Sequence, residues 1–177
     1  GQGGGGASTL SMQVVKNTYT DATATTGIQG IIRKFTDIYL AVFKLEKNYS
    51  KEQIIEFYVN SQCFNGTVCG VEQASQMYFD KSVSDLNLAE ASLLAGMFQA
   101  PSSYNPYNNP DRDSERRDDV LYMMIRHGYI TESEADAARM IPVSSLLSDN
   151  GAQTMKNQAF FDTVLEELED KYIINPY

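Results

Sequence analysis

Three helix-start signals constrain this chain more than any other feature. Ser50-Lys-Glu-Gln53, Asn87-Leu-Ala-Glu90 and Thr131-Glu-Ser-Glu134 each place a short polar side chain three residues ahead of a Glu or Gln. In that arrangement the first side chain accepts from the backbone of the fourth residue. The fourth reaches back to the first N–H, so two orphan donors of a helix end are satisfied together. Helices are therefore predicted to start near 51, 88 and 132, the first with Tyr49 and Ile54 as a hydrophobic staple. Apolar periodicity predicts two more. One runs through "SERRDDVLYMMIRH" and stops at Gly128; the other runs through "NQAFFDTVLEELEDK", with Phe160, Phe161, Val164, Leu165 and Leu168 as one stripe. Strand signals are sparse. Loops are expected at "TYTDATATTG", "CFNGTVCG" and "QAPSSYNPYNNPDRD". The expectation is a single, mainly α domain over residues 1–177.

Charge narrows the search for a site. The net charge of -9 argues against a nucleic-acid partner, but residues 1–60 carry +1 and the remainder -10. The cationic cluster thus lies in the first third, which is where an anionic ligand is expected. No apolar run reaches the roughly 20 residues that cross a bilayer. The opening "GQGGGG", without methionine, and the closing "KYIINPY" both read as cuts through a longer protein. Cys63 and Cys69, spaced Cys-x5-Cys with one histidine in the chain, do not suit a zinc site. Two buried thiols are the default reading, and a disulfide is open to them in an oxidising compartment.

Two short stretches carry chemistry. In "GGGGASTLSMQVVKN", Ser8 or Thr9 caps a helix whose Thr9, Gln13, Lys16 and Asn17 form a polar stripe opposite Leu10, Val14 and Val15. A helix N-terminus with hydroxyls and a lysine suits an anionic oxygen ligand such as phosphate. In "IIRKFTDIYLAVFKLEK", Arg33 and Lys34 neighbour Asp37 on a helix whose apolar side is Ile31, Ile32, Phe35, Ile38, Tyr39, Val42 and Phe43. Alone, that turn reads as a solvated ion pair contributing about 0.2–0.5 kcal/mol. His127 reads as a helix-end dipole partner, Asn65-Gly66-Thr67 as a turn, and Asp118 and Asp119 as a solvated face.

The order of motifs adds to this. "GGASTLSMQVVKN", "RKFTD", "KEQIIEFYVN" and "RRDDVL" resemble, in sequence order, the motif series of the peptidoglycan glycosyltransferases, the family 51 domains of bifunctional class A penicillin-binding proteins. The likeness continues through "GVEQASQMYFDKSVSDLNLAEASLLAGMFQAPSSYNP" and "HGYITESEADAA". It implies a lysozyme-like helical fold, truncated at its N-terminus, with residues 155–177 leading toward an absent transpeptidase domain. The implied activity is polymerisation of lipid II into glycan strands by inverting transfer, releasing undecaprenyl diphosphate.

By the same resemblance, Ser8, Thr9, Gln13, Lys16 and Asn17 line the substrate cleft, Arg33 and Lys34 hold the diphosphate, and Lys51 belongs to the same cationic wall of the substrate site. Asp37 takes the place of the family's second acidic residue, as catalytic group and candidate ligand of a divalent metal, Mg or Mn. No organic cofactor is implied. Tyr58, Asn60 and Arg116 hold the fold around the cleft. The implied partners are lipid II, the growing glycan strand, a membrane surface at the extracytoplasmic face of a bacterial cell, the transpeptidase domain and other cell-wall synthesis proteins. The family's general base is a glutamate in an upstream E-D-x-x-F-x-x-H-x-G segment that these residues lack, so the piece alone is expected to be inactive. Within the motifs, Met12 replaces a glutamine, Leu10 an isoleucine and Asp37 a glutamate, and Gln29 stands where many members have arginine. A lytic hydrolase of the same fold is disfavoured, since it has no diphosphate to hold. A non-catalytic module binding precursor or partner proteins is the alternative that Asp37 and Gln29 keep open.

Overall fold

The computed structural model describes residues 9–18, 27–65 and 68–172. They fall into two compact units, Gly1–Val71 and Glu72–Tyr177. Ser8, residues 19–26, and the side chains of Gln29, Arg33, Phe161 and Leu168 lie outside what is described.

In the first unit, α1 (Leu10–Thr18) packs on α4 (Lys51–Ser61) and on α2 (Gly27–Leu40). Helix α2 continues through a π turn, Ala41–Leu45, into a last α turn, α3 (Glu46–Asn48), which the extended Tyr49 ends. Ser50 then opens α4 with the expected capping box. The Gln53 N–H donates to Ser50 Oγ at 3.3 Å, and the Ser50 N–H donates to Gln53 Oε1 at 2.9 Å. Val14, Leu45 and Ile54 form a small core, with Tyr58 against it.

Two orientations differ from expectation. Leu10 is 43% exposed, and Ser11 takes the buried position beside Val14 and Val15. On α2 the apolar side faces outward: Phe35 is 69% exposed, and Ile32, Ile38, Tyr39, Val42 and Phe43 are exposed too. The inward positions are Asp37, Ala41 and Leu45, spaced by four. Such a row drifts round an ideal helix, and the wider π turn holds it on one side. Small Ala41 is itself buried, and the bulky stripe is left outside.

The expected loop "CFNGTVCG" is instead a hairpin, in which β1 (Cys63–Asn65) pairs antiparallel with β2 (Val68–Cys69). Cys63 and Cys69 face each other and are bonded, so the default of two free thiols does not hold.

The second unit is helical among its described residues. It comprises α5 (Val71–Phe79), a 3-10 turn at Val83–Asp85, α6 (Leu88–Met97), α7 (Pro110–Arg126), α8 (Glu132–Arg139), α9 (Val143–Leu146) and α10 (Asp149–Tyr172). Both predicted capping boxes form, at Asn87 and Thr131. Helix α6 is apolar nearly all round and sits against α7, with Leu93, Leu94, Met97 and Leu121 fully buried. Gly96 admits Arg116, whose Cγ would lie 2.9 Å from an added Cβ. Arg117 is buried, and its guanidinium donates to the Ile141 carbonyl at 2.8 Å and to that of Arg139 at 3.2 Å, closing the end of α8. Helix α7 begins inside the expected loop, because Pro110 occupies its first position, where the missing N–H costs nothing. Gly128, at φ 73°, ends it as predicted. Helix α10 starts at Asp149, ahead of the expected Asn157, since Ser148 Oγ accepts from the Gly151 N–H at 3.1 Å and caps it.

Candidate functional site

Helix α1 carries the first candidate residues. Thr9 is its cap: the hydroxyl accepts from the Met12 N–H at 3.3 Å and the carbonyl from the Gln13 N–H at 3.0 Å. Gln13 is half-buried, and Lys16 and Asn17 are exposed. At the far end Asn17 Nδ2 lies 3.5 Å from Ser61 Oγ, which itself donates to the Tyr58 carbonyl at 3.0 Å. Leu10 and Ser11 border a cleft of about 450 Å³ together with Glu46, Tyr49 and Lys51. Start therefore meets start and end meets end, so α1 and α4 run parallel. Their N-termini, which carry partial positive charge, share that cleft with the Lys51 ammonium. Among the described residues, Glu46 is the one acid on its wall. A second cleft of about 280 Å³, lined by Val15, Leu40, Lys44, Asn48 and Tyr49, adds another lysine.

Tyr58 and Asn60 lie near the end of α4. Burial pushes the Tyr58 phenol above its ordinary pKa. Asn60 is exposed, and Lys51 stands nine residues earlier, roughly 13 Å along the helix axis.

Asp37 is where the structure departs most from a solvated ion pair. It is 6% exposed, and its Oδ1 is buried with no hydrogen-bond partner. A surface ion pair would leave the carboxylate in water. Here it is withdrawn from water while Lys34, three residues back, remains exposed. A buried carboxylate oxygen without a donor is expensive, so a cation or donor brought to it is favoured strongly. Among the described residues no cluster of three or more His, Cys, Asp or Glu could hold a metal.

Arg116 lies in the second unit. Its guanidinium stands over the Tyr104 ring at 5.8 Å, Nε donates to the Gly96 carbonyl at 3.4 Å, and Nη1 is 3.5 Å from Asp119. The bond to Gly96 ties α7 to α6. The structure thus places Thr9, Gln13, Lys16, Asn17, Lys34, Asp37, Lys51, Tyr58 and Asn60 in one unit, and Arg116 in the other. Sequence reasoning missed Ser61, the link between Asn17 and Tyr58, and the burial of Asp37. The second had a signal, the row of Asp37, Ala41 and Leu45 at spacing four.

A model of the transglycosylase family matches residues 1–125. The chain belongs to the transglycosylase family. The matched span takes in every candidate residue of this transglycosylase from Ser8 to Arg116. Over 171 residues it is 38% identical to penicillin-binding protein 2a of Streptococcus pneumoniae, a match covering 95% of this chain and 23% of the relative. Over 182 residues it is 35% identical to penicillin-binding protein 1A/1B of Bacillus subtilis, covering 99% and 19%. The chain therefore spans less than a quarter of the length of these relatives. Among solved structures, penicillin-binding protein 1A from Haemophilus influenzae aligns with a TM-score of 0.50 and 28% identity, covering 75% of this chain and 16% of that one. The helical, lysozyme-like architecture expected from the motif series is the fold of this transglycosylase.

Proposed function

We propose that this transglycosylase polymerises lipid II into peptidoglycan strands, working at the extracytoplasmic surface of a bacterial membrane. In the reaction the 4-hydroxyl oxygen of an acceptor sugar bonds to the anomeric carbon of the lipid-linked donor. The bond from that carbon to the diphosphate oxygen breaks, and its electron pair leaves with undecaprenyl diphosphate. The hydroxyl proton passes to a general base, a task for which these 177 residues contain no E-D-x-x-F-x-x-H-x-G segment. This chain's residues act on the leaving group. Arg33, Lys34 and Lys51, with the paired N-termini of α1 and α4, offset the charge that grows on the diphosphate. Gln13, Lys16 and Asn17 orient the sugars along α1.

The observation that carries this reading is Asp37, a buried side chain whose Oδ1 has no hydrogen-bond partner, one turn along the sequence from the cationic pair. One carboxylate suits Mg or Mn held mainly by substrate phosphates, since such ions bind through one or two carboxylates and keep their waters. A bound ion would supply further charge compensation to the diphosphate. The outward apolar stripe of α2 supports contact with the membrane in which the lipid donor sits. No helix among the described residues is long and apolar enough to cross a membrane. We read residues 155–177 as the approach to a transpeptidase domain, the growing strand as the second ligand and other cell-wall synthesis proteins as partners.

The test is binding and turnover in the full-length protein. Lys34→Ala should weaken binding of a lipid diphosphate by about 1.5–3 kcal/mol, the worth of a charge-assisted contact, and slow release of glycan product. Unchanged affinity in the folded variant would make Lys34 a solvated surface charge with no part in holding the diphosphate.

A further inference from the structure

The Cys63–Cys69 disulfide has no part in the chemistry above, yet it is built into the edge of the same unit. The hairpin leaves α4 through Gln62 and closes at its base, where the Gly70 N–H donates to the Gln62 carbonyl at 2.7 Å. Gly70 has φ 90°, and a Cβ built there would stand 3.5 Å from the Asn60 carbonyl oxygen and 3.6 Å from Asn60 Oδ1. The returning strand is thus laid directly on the end of α4. The next residue, Ser61, meets Asn17 of α1 at 3.5 Å. Two strands of three and two residues, with the register slipping between Cys63 and Asn65, form too short a ladder to hold this return by backbone bonds alone. The covalent tie between opposed cysteines does so.

We propose that the Cys63–Cys69 disulfide is a redox-controlled staple, holding Asn60 and Ser61, and through them the polar seam between α1 and α4, in the arrangement that glycosyl transfer uses. The proposal rests on the reading of that seam as part of the substrate cleft. To form the bond, the two thiols give two electrons and two protons to a disulfide-bearing oxidant, which leaves as a dithiol; a reducing dithiol reverses the exchange. Cys63 is exposed, so an incoming thiolate can reach it. A staple of this kind persists in an oxidising compartment and opens under reduction.

The experiment compares the full-length protein before reduction, after reduction by dithiothreitol, and as the double variant Cys63→Ala/Cys69→Ala. Three readouts are thiol alkylation, amide exchange, and lipid II polymerisation. Before reduction, neither cysteine should be alkylated. After it, both should be labelled and the Gly70 and Ser61 amides should exchange several-fold faster, with α6 and α7 unchanged. Polymerisation should fall by about tenfold to a hundredfold, the cost of small misplacements near a reacting group. Reoxidation should restore both, and the double variant should match the reduced protein and ignore the reductant. Labelling of both cysteines before reduction overturns the proposal. So does a fully labelled protein that exchanges and polymerises like the oxidised one. A protein that polymerises in neither state refutes the function proposed above, and amide exchange then decides the staple by itself.

Discussion

Asp113 gives the sharpest stability prediction. It lies in the first turns of α7 with no solvent exposure, and neither carboxyl oxygen has a hydrogen-bond partner. Arg117, one turn on, is committed to the carbonyls of Ile141 and Arg139 and to Ser114 Oγ. Desolvation therefore outweighs the nearby guanidinium, and the carboxyl is raised from 3.8 to about 8. The Tyr78 hydroxyl, also buried without a partner, is raised by the same burial and by Asp113.

The sign follows from proton counting. Between these two pKa values the folded protein holds one proton more than the unfolded chain, so stability falls as pH rises. The favourable contribution is complete below about pH 4 and is lost by about pH 8, where the folded carboxyl ionises as well. At about 1.4 kcal/mol per unit, the whole span comes to roughly 6 kcal/mol as an upper bound, a large part of the 5–15 kcal/mol of a typical domain. Asp113→Asn keeps the shape and removes the titration, at a pH-independent cost of about 1–3 kcal/mol for its unpaired amide. Urea unfolding of both proteins side by side should show near equality at pH 5. At pH 8 the variant should lead by about 2–4 kcal/mol. Other titrating groups cancel in the difference. A gap that stays constant from pH 5 to pH 8 would falsify the reasoning, since Asp113 would then be ionised in the folded protein.

Two substitutions test how helices are anchored. Gly151→Ala would drive a methyl group into the Tyr107 hydroxyl and the Met77 carbonyl, so α10 must shift. A loss of about 1–3 kcal/mol and a melting point lower by several degrees are expected, and an unchanged melting point would mean that α10 is not seated there. Ser50→Ala removes the hydroxyl that accepts from the Gln53 N–H, leaves the backbone N–H bond to Gln53 Oε1 in place, and should cost about 1 kcal/mol, whereas Ser50→Gly should cost only a few tenths. Equal effects in a denaturation series would count against the cap.

What the sequence revealed was mostly local. Each capping box needs four consecutive residues, and all three form where expected. The order of motifs identified the family, and the candidate residues from Thr9 to Asn60 share one unit. Features set by tertiary packing were not legible. The stripe from Ile32 to Phe43 has the period of a buried face, yet periodicity does not say which partner covers it, and here Asp37 and Ala41 face inward. The π turn that keeps them there has no propensity signature. The two strands are too short for alternation to show. Helix α7 began earlier than expected because a proline that forbids a helix interior also suits a helix start.

The central claim, that Asp37 serves the departing diphosphate, is tested most directly by turnover of Asp37→Asn in the full-length protein. Oδ1 has no bonded partner to lose, and a neutral amide is less costly to bury than an unpaired carboxylate, so the fold should be kept or strengthened. Any loss of rate then reports on chemistry. Loss of one such electrostatic group typically lowers kcat by about 10²–10³. The account predicts a fall of that size in lipid II polymerisation, with the melting temperature unchanged or higher. A variant that polymerises within a few-fold of the wild type would contradict it, and the buried carboxylate would then be only a feature of how α2 packs on α1.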